Sequence, residues 1–362
     1  MKKRSTIALI ALWGILAFFT WVSPSKDISE AERRPLAGFP KASAQTILTG
    51  KFQEDFEDYA LDQFPFRDGF RRLKAGFQYG VLRQKDNNGI YLADGYAVKQ
   101  EYPLNQSSVD HFLEKMNYLH EKYLTGCSTA MAIVPDKGYY LAKDAGQLYL
   151  NYDALKTQIA QGLPWADQID LTDSLSAQDY YRTDTHWRQE NLIPAAGKIA
   201  QTLGVTEPKI EDYTVATLNR PFYGVYYGQA ALPMEPEAVK LLESDLLSQC
   251  TVYDYETGET ISVYDREKGE TARDPYDVYL SGSKSLLTIE NPNAKGDREL
   301  IVFRDSFGSS MAPLLVGDYA KVTLIDVRYI RIDLLDRFVE FTDQDVLLLY
   351  STLVLNQSLS IQ

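Results

Sequence analysis

Leu300-Ile301-Val302-Phe303-Arg304-Asp305-Ser306-Phe307-Gly308-Ser309-Ser310 reads as a strand that runs into a serine turn. Its four leading apolar residues are too short a run for a helix and suit a strand buried on both faces of a sheet. Asp305 and Ser306 fall where that strand must stop, and Met311-Ala312-Pro313-Leu314-Leu315 resumes with helical character. A serine at such a turn sits at the carboxyl edge of a sheet, near the positive end of a helix, where backbone N–H groups can meet a developing oxyanion. A plain helix cap by Asp305 or Ser306 fits the same residues. The choice between the two rests on what the remaining chain supplies.

Outward from the serine turn, further apolar runs at 129–134, 169–171, 321–327 and 345–350 read as strands, and 109–123, 153–163 and 189–203 as helices. Alternating buried strands and helices indicate an α/β layer sandwich with a mostly parallel sheet, whose ligands collect at the carboxyl ends of the strands. Upstream, Phe52, Phe56, Tyr59 and then Phe70, Leu73, Phe77 recur at helical spacing on either side of Pro65, which predicts two helices. Asp94-Gly95 between apolar runs predicts the tip of a β-hairpin over 90–98. Residues 205–279 are irregular, with acidic hairpin-like stretches. They are read either as an insertion shaping a groove or as a β-excursion completing the fold.

Only three histidines occur, His111, His120 and His186, so any chemistry that needs an imidazole has few candidates. His111 and His120 stand nine apart on one helix with no carboxylate pattern, which suits packing. His186 lies in Tyr180-Tyr181-Arg182-Thr183-Asp184-Thr185-His186-Trp187. In extended backbone, residues two apart share a face, so Asp184 could orient the His186 ring. A histidine packed under Trp187 is the plainer alternative. The serine turn and the Asp-x-His pair in one chain favour chemistry, because together they complete a nucleophile, a base and an orienting acid. Scattered histidines give no metal-ligand cluster, and no cofactor is expected.

Composition narrows the partners. A net charge of -13 argues against nucleic acid, which demands a basic surface. Lys2-Lys3-Arg4 followed by an uncharged apolar run over 7–22 predicts an uncleaved single-pass membrane anchor, with cleaved secretion as second choice. Either way the bulk of the chain is expected outside the cytoplasmic membrane. The two cysteines, Cys127 and Cys250, fit one disulfide or two thiols.

Taken together, these motifs resemble the DHHW / alginate-acetylation (AlgX/AlgJ-like) group of SGNH-hydrolase-like proteins. The segment at 180–187 is similar to the family's Asp-x-His-Trp signature, with Thr185 at the second place. Residues 304–310 are similar to its serine block, and Ile325-Asp326-Val327-Arg328-Tyr329 to the segment that follows. The resemblance implies a flavodoxin-like three-layer sandwich with a triad in which Ser306 is the nucleophile, His186 the base and Asp184 its orienter. It further implies O-acetyl transfer to a surface polysaccharide through an acetyl-serine, with a membrane-bound O-acyltransferase as acetyl donor. Leu280-Ser281-Gly282-Ser283 resembles the family's oxyanion element, with Ser283 where an asparagine is expected. Gly282, Ser283, Trp187 and Arg328 are therefore candidate oxyanion or substrate-binding residues, Arg328 equally a structural ion pair.

The expected organisation is an anchor over 1–25, a linker over 26–45, and one SGNH-hydrolase-like domain over 46–362 with its insertion at about 205–279. Two alternatives to the transferase stand beside it. One is an acetyl esterase with the same triad, and the other a catalytically weak polysaccharide-binding subunit.

Overall fold

The computed structural model describes every residue except Met1 and Glu30, and every side chain except those at 1, 2, 3, 8, 12, 21 and 30. The chain divides into two compact units, one made of Met1–Gly89 and Val225–Met234, the other of Ile90–Gly224 and Glu235–Gln362.

The first unit is helical. Helix α1 (Lys2–Val22) is followed by α2 (Lys51–Asp62) and α3 (Arg67–Gly80). The break between α2 and α3 falls at Gln63-Phe64-Pro65-Phe66, because proline lacks the N–H that would continue the first helix. Residues read as a linker are pinned here. Arg34 forks onto the Asp62 carboxylate at 2.5 and 2.9 Å, and Gln63 bonds both backbone groups of Lys26. The expected membrane-spanning anchor is not met: among the described residues no helix is long and apolar enough to cross a membrane. Val225–Met234 completes this unit, since Arg71 donates to the Gly228 carbonyl at 2.8 Å and Asn87 to that of Ala230 at 2.8 Å. Gly228 lies so close to the Ala31 carbonyl that any Cβ would sit 1.5 Å from its oxygen.

The second unit holds an eight-stranded sheet. Its strands are β1 (Ser128–Val134), β2 (Asp167–Asp170), β3 (Thr251–Asp254), β4 (Glu259–Ile261), β5 (Leu286–Glu290), β6 (Glu299–Arg304), β7 (Lys321–Ile325) and β8 (Asp345–Ser351). Their order is β4-β3-β5-β7-β6-β8-β1-β2. Strands β7, β6, β8, β1 and β2 run parallel, whereas β5, β3 and β4 add on antiparallel.

Strand alternation builds the layers. Leu300 and Val302 of β6, with Leu347 and Leu349 of β8, face a core completed by Ala195, Ala196 and Ile199 of α6 (Ile193–Leu203). Ile301, Phe303, Val346 and Leu348 face the opposite core, closed by Phe112 and Met116 of α4 (Gln106–Leu119) and Leu155 of α5 (Tyr152–Gly162). Apolar side chains on both faces explain the uninterrupted hydrophobic runs. The 205–279 region resolves into several parts. Strands β3 and β4 extend the sheet, so the β-excursion reading describes them, while 225–234 belongs to the first unit.

Candidate active site

Strand β6 ends at Arg304, and the chain turns at Asp305 and Ser306 into a short helix, Gly308–Met311. No side chain caps that helix. Asp305 instead stitches the turn to the sheet, its buried carboxylate accepting from the N–H groups of Phe307 at 3.0 Å and Ser351 at 2.8 Å. Ser306 is left partly exposed at the carboxyl end of a central strand. Its own backbone N–H takes part in none of the described hydrogen bonds of the turn.

Asp184 and His186 arrive on the loop over 180–187. The expectation of extended backbone there is corrected. The segment is a reversal closed by a bridge between Tyr180 and Trp187 and by the Tyr181 N–H on the His186 carbonyl at 3.0 Å. The two side chains meet because the chain turns back: one oxygen of Asp184 accepts the His186 backbone N–H at 3.0 Å and lies 2.6 Å from Nδ1. The other ring nitrogen, Nε2, lies 2.8 Å from Ser306 Oγ. With a carboxylate on one side and a hydroxyl on the other, the ring carries its proton on Nδ1 and accepts at Nε2. Asp184 is fully buried, which favours a fixed partner over bulk solvent.

The ring is held from above and behind. Tyr276 stacks on His186 with centroids 4.0 Å apart and planes 11° off parallel, and its hydroxyl shares a 2.7 Å hydrogen bond with Ser310. Burial raises the Tyr276 pKa, so its hydroxyl stays protonated. Trp187 is fully buried and donates its indole N–H to the same Ser310 hydroxyl at 2.7 Å, tying the histidine loop to the serine turn. Gln189 adds a second tie, donating to the Ser310 carbonyl at 2.9 Å while accepting from Leu242 N–H and Tyr264 OH.

A third layer fixes the Asp184 side of the loop. Lys137, only 2% exposed, donates to the carbonyls of Tyr181 at 2.9 Å and Arg182 at 3.3 Å. Burial pushes its pKa down to about 7, opposed by the charges of Asp184, Glu237 and Asp136. Glu237 accepts from both the N–H and the hydroxyl of Thr183. Gly224 lies against this turn so tightly that a Cβ would come within 2.3 Å of the Asp184 side chain and the Thr183 carbonyl. The Thr185 hydroxyl is buried with no hydrogen-bond partner among the described residues.

The remaining candidates lie differently. Ser283 is exposed, and no described hydrogen bond joins Gly282 or Ser283 to Ser306 or His186. Instead the 280–283 segment is folded onto its own upstream turn, with Ser281 donating to Asp265 at 2.6 Å and Gly282 at φ 89° over Asp277. Arg328 aims its fork at Asp326, with N–O distances of 2.9 and 2.6 Å. Burial works against its charge, but the Asp326 carboxylate more than offsets this and leaves its pKa raised. His111 bonds the Ile361 carbonyl and His120 stacks on Trp165, both packing roles. Cys127 and Cys250 are free thiols, and no metal-ligand cluster occurs among the described residues. Sequence reasoning missed Tyr276, Ser310 and Gln189. Ser310 stands one helical turn beyond Ser306, the one local signal that could have drawn attention to it.

No protein-family model matches this sequence, and no curated protein matches it either. Solved structures do share its fold. A DHHW family protein from Eubacterium siraeum superposes with a TM-score of 0.62 at 20% identity, over 76% of this chain and 95% of that one. Bacillus cereus PatB1 bearing a sulfonyl adduct gives 0.57 at 18% identity, over 74% and 95% of the two chains. A second PatB1 structure gives 0.56 at 18%, over 74% and 96%.

Proposed function

We propose that this chain is an O-acetyltransferase that acts outside the cytoplasmic membrane on a cell-surface polysaccharide. The observation that carries the reading is the line of contacts from Ser306 Oγ through His186 Nε2 and Nδ1 to Asp184, at 2.8 and 2.6 Å. His186 takes the Ser306 proton as Oγ attacks the acetyl carbonyl, and Asp184 stabilises the imidazolium that forms. The tetrahedral intermediate collapses, His186 protonates the departing group, and the acetyl group remains on Ser306. A sugar hydroxyl then gives its proton to His186 and attacks the acetyl-serine, which restores the free serine. The Ser306 backbone N–H is one donor available to the oxyanion.

Two further features support the reading. One fold neighbour, PatB1, carries a sulfonyl adduct, and sulfonyl reagents are general traps for activated hydroxyl nucleophiles. The motif resemblance at 180–187 and 304–310 points to polysaccharide acetylation, with a membrane-bound O-acyltransferase as donor. The extracytoplasmic location rests on the Lys2-Lys3-Arg4 and apolar pattern of the amino terminus.

A second reading, a weakly catalytic polysaccharide-binding subunit, is favoured by the exposure of Ser283 and its lack of any described bond to the site. Intact-protein mass after incubation with p-nitrophenyl acetate separates the two. The transferase forms an acetyl adduct that disappears in Ser306→Ala and passes to an added oligosaccharide. Absence of any adduct, with glycan binding retained in Ser306→Ala, would sink the transferase in favour of the binding subunit. An adduct cleared only by water marks an esterase. Protease protection in intact cells tests the location.

A further inference from the structure

Helix α3 is built inside out. Phe66 precedes the helix in left-handed backbone (φ 58°), and at 100° per residue Phe70, Leu73, Phe77 and Val81 fall on one narrow stripe that faces outward. Their exposures are 69%, 44%, 69%, 52% and 64%. Two of the helix's four cations, Arg67 and Arg71, are turned inward, while Arg72 and Lys74 stay exposed. Arg67 and Arg71 retain only 18% and 16% side-chain exposure, held by Glu32, and Arg71 also bonds the carbonyls of Gly228 and Gln229. Burial lowers the Arg71 pKa, a cost the helix bears while five large apolar side chains stay exposed. Monomeric soluble proteins rarely leave such a contiguous apolar strip uncovered.

What covers it follows from its chemistry. The stripe has no donor or acceptor along it to specify a protein partner, whereas a bilayer asks for none. It is continuous with a second apolar surface, because Phe66 packs edge-on against Phe19 of α1 with centroids 6.1 Å apart. Ile7, Ile10, Trp13, Phe18 and Val22 on α1 are likewise exposed. Exposed cations border the stripe: Lys74 lies between Phe70 and Phe77, and Arg83 and Lys85 follow Val81. Leaving aside Arg67 and Arg71, which pair inward with Glu32, residues 66–86 hold four basic side chains (Arg72, Lys74, Arg83, Lys85) and two acidic ones (Asp68, Asp86) in a chain whose net charge is -13. A local positive excess around an apolar face is complementary to anionic headgroups over acyl chains.

We propose that α3 lies in the plane of a membrane interface, with its phenylalanine stripe in the acyl boundary of an anionic bilayer and Lys74 reaching back to the phosphates. Such a contact needs no helix to cross the membrane. It is independent of the acetyl-transfer reading, since it concerns the helical unit alone.

The test uses the full chain, with Cys127→Ser and Cys250→Ala, carrying a bimane label at Leu73→Cys or, on the polar face, at Asp68→Cys. It is mixed with vesicles of phosphatidylcholine and phosphatidylglycerol. The label at 73 is expected to be quenched by nitroxide-bearing lipid and shielded from iodide, and the label at 68 to show the reverse. Iodide quenching at 73 equal to that at 68 would overturn the proposal, because the stripe then faces water. Shielding at 73 from both quenchers would overturn it too, since a protein surface then covers the stripe.

Discussion

Removing the Ser310 hydroxyl should cost far more than its size suggests. Ser310 is fully buried and is the only described side-chain partner of two other buried groups, the Trp187 indole N–H and the Tyr276 hydroxyl, each at 2.7 Å. Ser310→Ala leaves both without a described side-chain partner in a fully buried position. An orphaned buried polar group costs about 1–3 kcal/mol, so the pair should lower stability by about 2–6 kcal/mol. Ser306→Ala is the matched control, since it removes one hydrogen bond at a partly exposed position and should stay within about 1 kcal/mol of wild type. Urea unfolding followed by tryptophan fluorescence reads both. Because Tyr276 stacks on His186, Ser310→Ala should also slow labelling of Ser306 by a sulfonyl fluoride under conditions where the chain is still folded. A Ser310→Ala midpoint indistinguishable from that of Ser306→Ala would refute the reasoning, because the hydroxyl would then not be the hub these contacts describe.

Other substitutions probe the same loop. Gly224→Ala forces a methyl to within 2.3 Å of Asp184, so overpacking should destabilise the fold by about 1–3 kcal/mol and depress Ser306 labelling further than the stability loss explains; normal labelling would mean the loop gives way freely. Lys137 titrates near 7 in the folded chain and near 10.5 when unfolded, so the unfolded state binds the extra proton between these values and stability rises with pH across that window. Lys137→Met should flatten that slope by about 1.4 kcal/mol per pH unit in denaturation series at several pH values, and an unchanged slope would contradict a buried, partly neutral amine. With a disulfide reagent at pH 8, Cys127 should react in the native chain. Cys250, buried with its thiol pushed up to about 11, should react only on unfolding, and equal native rates would contradict its burial.

Much of the sheet was legible because parallel strands covered on both faces are written as plain apolar runs, as at 300–303 and 345–350. Ser306 stood out because it follows such a run at a strand-to-helix turn, and His186 and Asp184 because histidine is scarce and the Asp-x-His spacing pairs them. The route by which Asp184 and His186 meet was not legible. Spacing alone suits extended backbone, whereas the Tyr180–Trp187 bridge makes a reversal through contacts that form only in the folded chain. Strands β3 and β4 are short and put only Val252 and Ile261 against the apolar core, so their hairpin-like pattern did not show that they extend the sheet. Tyr276 was one tyrosine among 25, and nothing local distinguishes a ring that stacks on His186 from one that fills a core. The resemblance of 280–283 to an oxyanion element lay in residue types, while the fold spends that segment on Asp265 and Asp277.

The helical unit borrows Val225–Met234 from far along the chain, and this sets a timetable for its assembly. Asn87 and Arg71 exist early, but the carbonyls they bond at Ala230 and Gly228 are polymerised only after most of β1, β2 and the histidine loop. At roughly 5–20 residues per second the first 89 residues wait about 7–30 s for their missing piece. During that interval Arg71 and Asn87 lack the carbonyls they bond in the finished unit, and the phenylalanine stripe of α3 is already made. A newborn chain therefore passes through a period in which its stickiest helix is complete and its own unit is not, the stage at which a chaperone or an early surface encounter has most to offer.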